Sequence, residues 1–126
     1  MKIFVYGTLR KGASAFSFYL AEPSTEFIGQ ATIHGDLHDM GWYPAVVNAG
    51  QPSAGTVIGD VFDVNEETLD RLDNYEGYPV LYERATVKTL DGAVVQTYVF
   101  VDKHGAQCHP KVEGGDWLNH AVGERG

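Results

Sequence analysis

Two runs of consecutive apolar residues set the tightest limit on how this chain folds. They are Ile3-Phe4-Val5-Tyr6 and the stretch that holds Val94, Val95, Tyr98, Val99, Phe100 and Val101. Side chains alternate between the two faces of a strand, so a strand apolar at successive positions needs cover on both sides. Helices supply that cover, or the sheet curls into a barrel. Fifteen glycines spread through 126 residues keep the elements short. Further strand-like runs fall at 25–37, 45–47 and 57–64, the last preceded by turn-forming Pro52, Ser53 and Gly55. The runs 81–90 and 93–102 flank Asp91-Gly92, a strong hairpin signal. Ser14 could cap a short helix over 14–20, and the segment from Lys103 reads as irregular, with a short helix at 116–121. The fold class that follows is α+β, a small mixed β-barrel with flanking short helices, in a single domain spanning 1–126.

One longer helix is well marked. Asn65 offers an N-cap, Glu66 and Glu67 occupy the first turn, and Gly77 and Pro79 stop the helix after Tyr75 or Glu76. Leu69 and Leu72 form its apolar stripe. At about 100° per residue, Glu76 lies about 20° from Leu69 and about 40° from Leu72 when viewed down the axis. A carboxylate is therefore centred on the buried side, at the negative end of the helix dipole. Desolvation and dipole both favour the protonated form and raise its pKa, which suits general acid–base work near neutral pH. An ion pair with Arg84, or a side chain turned to solvent, are the competing readings.

The turn after the first strand is the second candidate. Gly7 gives it backbone freedom. The N–H groups of Gly7, Thr8 and Leu9 could converge on an anion. Arg10 and Lys11 follow directly. With Lys2 they are the only basic residues before Arg71, in a half-chain that carries nine acidic residues between positions 12 and 70. The glycine spacing fits neither a phosphate loop nor a dinucleotide loop.

Charge and composition exclude several function classes. A net charge of −8 repels phosphate backbones, so neither nucleic acid nor an anionic membrane surface is an expected partner. A single cysteine, Cys108, rules out an internal disulfide and suits a reducing, cytoplasmic setting. The apolar run at the N-terminus is too short for an export signal, and none approaches the ~18 residues of a membrane helix. His104, Cys108 and His109 lack zinc-site spacing and a fourth ligand, and His34 with His38 gives only a pair, so no metal is expected.

The segments Phe4-Val5-Tyr6-Gly7-Thr8-Leu9-Arg10 and Leu72-Asp73-Asn74-Tyr75-Glu76-Gly77-Tyr78-Pro79, continuing to Tyr82 and Arg84, resemble the γ-glutamylcyclotransferase-like family. Gly35-Asp36-Leu37, Gly41-Trp42-Tyr43-Pro44-Ala45, Gly59-Asp60-Val61-Phe62 and Gly115-Asp116-Trp117 agree with it in order and spacing. The resemblance is closest to the γ-glutamylamine cyclotransferase branch and its small bacterial relatives. It implies a small barrel with a cavity at its mouth, Tyr6, Gly7, Thr8 and Leu9 as the substrate-binding loop, and Glu76 as proton acceptor. Tyr82 and Arg84, one strand period apart, would steer Glu76 or the substrate, or else line the barrel. The implied reaction closes a γ-glutamyl amide to 5-oxoproline, releases an amine and uses no cofactor. A small-molecule binder on the same fold, or an acyl transfer that removes a γ-glutamyl group, are the alternatives.

Overall fold

In the computed structural model, residues 1–21 and 23–120 are described, and the statements below concern them. The elements follow one another as β1 (Lys2–Val5), α1 (Phe16–Tyr19), β2 (Glu26–His34), β3 (Asp36–Asp39), β4 (Pro44–Val47) and β5 (Thr56–Asp63). After these come α2 (Glu66–Glu76), β6 (Tyr82–Lys88), β7 (Val94–Phe100) and α3 (Lys103–Gln107). A 3-10 turn, Glu113–Gly115, leads to a helical turn at 117–120. The helix expected at 116–121 thus has its last position outside the described residues.

The α+β class is what forms. β2, β5, β1, β7 and β6 make a five-stranded mixed sheet in that order, and β3 with β4 makes a separate two-stranded one. β1 runs antiparallel to β5 and parallel to β7. The strands do not close into a barrel: β2 and β6 remain the sheet's edges. The sheet curls enough for the Leu90 N–H, just past β6, to donate to the Thr32 carbonyl on β2, at 2.8 Å.

The first apolar run behaves as its composition demands, whereas in the second Val94 and Val101 are 55% and 45% exposed. Ile3 and Val5 enter one core with Leu69, Leu72 and Phe62, while Phe4 and Tyr6 enter a second with Ile33, Val57 and Val95. Both faces of β1 are thereby covered. The marked helix is capped as read: Asn65 Oδ1 accepts the Thr68 N–H at 2.8 Å, and Gly77 ends it at φ 68°. The run at 25–37 breaks at Gly35 into β2 and the start of β3. In α1 the position before the first residue is Ala15 and no side chain caps it, so Ser14 does not serve as the cap. The helix Lys103–Gln107 falls within the stretch read as irregular. Gly105 at its centre hides it in the sequence, while Asp102 caps it by accepting the Gly105 N–H at 2.9 Å.

Candidate active site

The chain leaves β1 at the edge of a cavity of about 260 Å³. That is smaller than the roughly 300–1,000 Å³ of sites for drug-sized ligands and suits a group the size of one amino acid. Tyr6, Gly7, Thr8, Leu9, Glu76 and Tyr82 all line it, joined by Tyr43, Pro44, Tyr75, Leu81 and Tyr98. Residues from the first strand, the long helix and the hairpin thus meet in one place, although they lie far apart in sequence.

Glu76 is the last residue of α2, half-buried, and the only charged side chain among the described lining residues. No cation shares the cavity wall to offset its desolvation. Burial accordingly pushes its carboxyl pKa from 4.5 up to about 7. Arg84 does not pair with it. The Arg84 Nε lies 3.3 Å from Asp73 Oδ1, its guanidinium sits over the Tyr78 ring, and it is absent from the cavity lining. Of the residues expected to bind substrate, Arg84 thus stands outside the cavity lining, with its charge beside Asp73, one helical turn before Glu76.

The loop after β1 is a tight turn in which the Arg10 N–H donates to the Gly7 carbonyl at 3.1 Å. The N–H groups of Gly7, Thr8 and Leu9 have no protein acceptor among the described residues. The role of Gly7 differs from the one expected. It does not lie in the left-handed region; instead, an added Cβ would stand 2.9 Å from Pro44 Cγ. Glycine is required there by close approach. Thr8 Oγ1 and the Tyr75 hydroxyl share a hydrogen bond of 2.7 Å near the mouth.

Arg10 offers no charge to a ligand. It is buried, with Nη1 2.8 Å from Asp116 Oδ1 and Nε 3.5 Å from Asp60 Oδ2. Asp60 Oδ2 also accepts the Lys11 N–H at 2.8 Å, and the Lys11 ammonium sits 4.7 Å over the Phe27 ring. The basic pair therefore anchors the loop, and any anion would rest on backbone N–H groups.

Tyr43, Pro44, Tyr75 and Tyr98 were not singled out by sequence reasoning. The 41–45 motif was visible, but nothing local shows that Pro44 packs on Gly7. Trp117 is buried, whereas Trp42 is 82% exposed. His38 is buried, with Nδ1 2.9 Å from the His109 carbonyl oxygen, and Cys108 Sγ reaches the His104 carbonyl oxygen at 3.4 Å. Among the described residues no group of three or more His, Cys, Asp or Glu side chains could hold a metal ion.

The sequence profile of the family described as Gamma-glutamyl cyclotransferase, AIG2-like, matches residues 3–119. The chain belongs to this family. A relative from Vibrio cholerae is 35% identical over 117 residues, which cover 91% of this chain and 93% of that protein. The solution structure of protein ytfP from Escherichia coli superposes with a TM-score of 0.66 at 30% identity, over 96% of this chain and 99% of that one. An AIG2-like protein from Mus musculus superposes with a TM-score of 0.76 at 24% identity, covering 89% and 85% of the two chains, and shows the shared fold. The matched span of the γ-glutamyl cyclotransferase family includes both the β1 loop and Glu76. No helix among the described residues is long and apolar enough to cross a membrane.

Proposed function

We propose that the protein is a cofactor-free γ-glutamyl cyclotransferase with Glu76 as its general base and acid. The observation that carries this reading is a half-buried carboxylate, pushed up to a pKa of about 7 by burial, in a small cavity also lined by Gly7, Thr8 and Leu9, whose backbone N–H groups have no protein acceptor among the described residues.

In a γ-glutamyl amide the α-nitrogen and the γ-carbonyl carbon belong to one molecule, and their union closes a five-membered ring. Holding the chain curled supplies much of the barrier reduction as effective molarity. The α-ammonium first loses a proton to the Glu76 carboxylate. The freed lone pair attacks the γ-carbon, forming the C–N bond and moving the carbonyl electrons onto oxygen. Collapse of that tetrahedral species breaks the bond to the leaving nitrogen, which takes a proton from the Glu76 carboxyl. The carboxylate so restored takes the surplus proton from the ring nitrogen and passes it to the released amine, so the products are 5-oxoproline and an ammonium ion and Glu76 returns to its starting form. One group with a pKa near the working pH serves every one of these transfers, an effect worth about 10²–10⁴-fold in rate. Backbone N–H groups of the β1 loop hold the anionic parts of the substrate without titrating.

The test is release of 5-oxoproline from a panel of γ-glutamyl amines and amino acids by the native protein and by Glu76→Gln. The substitution keeps size and removes acid–base function. The expected result is turnover of at least one compound by the native protein, lowered at least about 10²-fold in kcat by the substitution. Equal turnover by both proteins overturns the role of Glu76.

A further inference from the structure

Three tyrosines line the deep part of the cavity, and each hydroxyl proton is already committed. Tyr6 Oη donates to the Tyr98 carbonyl at 2.6 Å, and Tyr82 Oη to the Pro44 carbonyl at 2.5 Å. Tyr98 Oη donates to Asp73 Oδ1 at 2.6 Å. The partners are carbonyl or carboxylate oxygens, which only accept, so the direction of each bond is fixed by chemistry. A phenol has one proton to give and two lone pairs to offer. Burial pushes all three phenols up, and the charge of Glu76 adds to the effect at each, which places the three hydroxyls within electrostatic reach of that carboxylate. They keep their protons throughout the working range. The rim tyrosines, Tyr43 and Tyr75, are 37% and 42% exposed and stand at the mouth.

The cavity is therefore chemically divided. The three buried phenols near Glu76 offer the cavity oxygen lone pairs, while the β1 loop on the same lining carries backbone N–H groups with no protein acceptor among the described residues. Asp73 is the member that could have been arranged otherwise. It sits one turn before Glu76 on α2, and Arg84 on β6 holds it with Nε 3.3 Å from the same Oδ1 that takes the Tyr98 proton.

We propose that the Arg84–Asp73 pair is a positioning device that turns the Tyr98 hydroxyl proton away from the cavity, so that Tyr98 and Tyr82 join Glu76 as an acceptor cluster selecting the ammonium of an α-amino-acid head group. Tyr98 and Asp73 become specificity-determining residues. Ligands whose α-nitrogen is acylated or absent lose the partner this cluster is built for. The inference rests on the proposed use of the cavity for a γ-glutamyl head group and adds which side of it takes the nitrogen.

The experiment compares calorimetric dissociation constants of L-glutamate and of glutarate, which lacks only the α-amine. Their γ-carboxylates are common to both and cancel in the ratio. The native protein is expected to bind glutamate at least roughly tenfold more tightly, as a hydrogen bond to a charged group allows. Tyr98→Phe and Asp73→Ala are each expected to shrink that preference by roughly fivefold or more, with glutarate affinity unchanged. Asp73→Ala acts without touching the ligand, because it frees the Tyr98 proton to turn inward. Circular dichroism establishes that each variant is folded. Should one of them fail to fold, the other carries the same comparison. An unaltered ratio in Tyr98→Phe overturns the proposal, as does equal weakening of both ligands, which would mark a merely structural role. The expected ratios without 5-oxoproline from any γ-glutamyl compound would support the head-group site and defeat the cyclisation reading. Cyclisation with unaltered ratios would do the reverse.

Discussion

At the scale of single residues, Glu76 organises the site, and much of its situation is written in local sequence. The offset from Leu69 and Leu72 turns it inward, and Gly77 ends the helix directly after it. Gly7 is different. Its importance shows in the sequence only as a glycine after a strand, while the reason is Pro44, brought against it from β4. Gly7→Ala is expected to lower stability by about 1–3 kcal/mol in urea denaturation, since the proline ring must move. Because the Pro44 carbonyl also holds the Tyr82 hydroxyl, the same substitution should raise KM for a γ-glutamyl substrate more than it lowers kcat. Tyr98 was illegible as a site residue for the same reason, as was the partner that holds the Tyr82 hydroxyl. Tyr98 meets Asp73 across 25 positions and Tyr82 meets Pro44 across 38, and no periodicity encodes such meetings.

At the scale of elements, α2 and the β6–β7 hairpin were legible because their signals are strictly local: an Asx cap, a stripe at helical period and an Asp-Gly turn. The β1 loop was legible as a place but not as a device. Arg10 reads as a free cation in an acidic neighbourhood, and only the fold shows it seated between Asp60 and Asp116, from β5 and from the segment after the 3-10 turn. These three residues come from three separate motifs, and the buried ion network links them around the loop. Asp60→Ala removes one carboxylate from a buried guanidinium and the acceptor of the Lys11 N–H. It should cost about 3–5 kcal/mol in chemical denaturation, as breaking a buried pair does. A cost below about 1 kcal/mol would show that the network is solvated and does not anchor the loop. Asn65→Ala, by contrast, removes one cap and should cost about 1 kcal/mol.

At the scale of the whole molecule, the run of apolar residues in β1 predicts cover on both faces, and two cores supply it. Whether the sheet closes was not legible, because closure depends on edge-to-edge pairing between β2 and β6, which composition leaves unspecified; the sheet stays open. Global stability carries a mark of the site. Glu76 has a folded pKa of about 7 against 4.5 when unfolded, so between those values the folded chain holds a proton that the unfolded chain has released. Stability is thus fully present below about pH 4.5 as far as this group is concerned, falls by on the order of 3 kcal/mol in all as pH rises from there to about 7, and levels off above. Glu76→Gln should remove that slope from the pH dependence of unfolding free energy. Most direct of all is a site-resolved carbon NMR titration of the Glu76 side-chain carboxyl in the folded protein. The midpoint expected is about 7, matching the acidic limb of the kcat/KM profile for a γ-glutamyl substrate. A midpoint near 4.5 would mean a solvated carboxylate, and would contradict its proposed part in proton transfer.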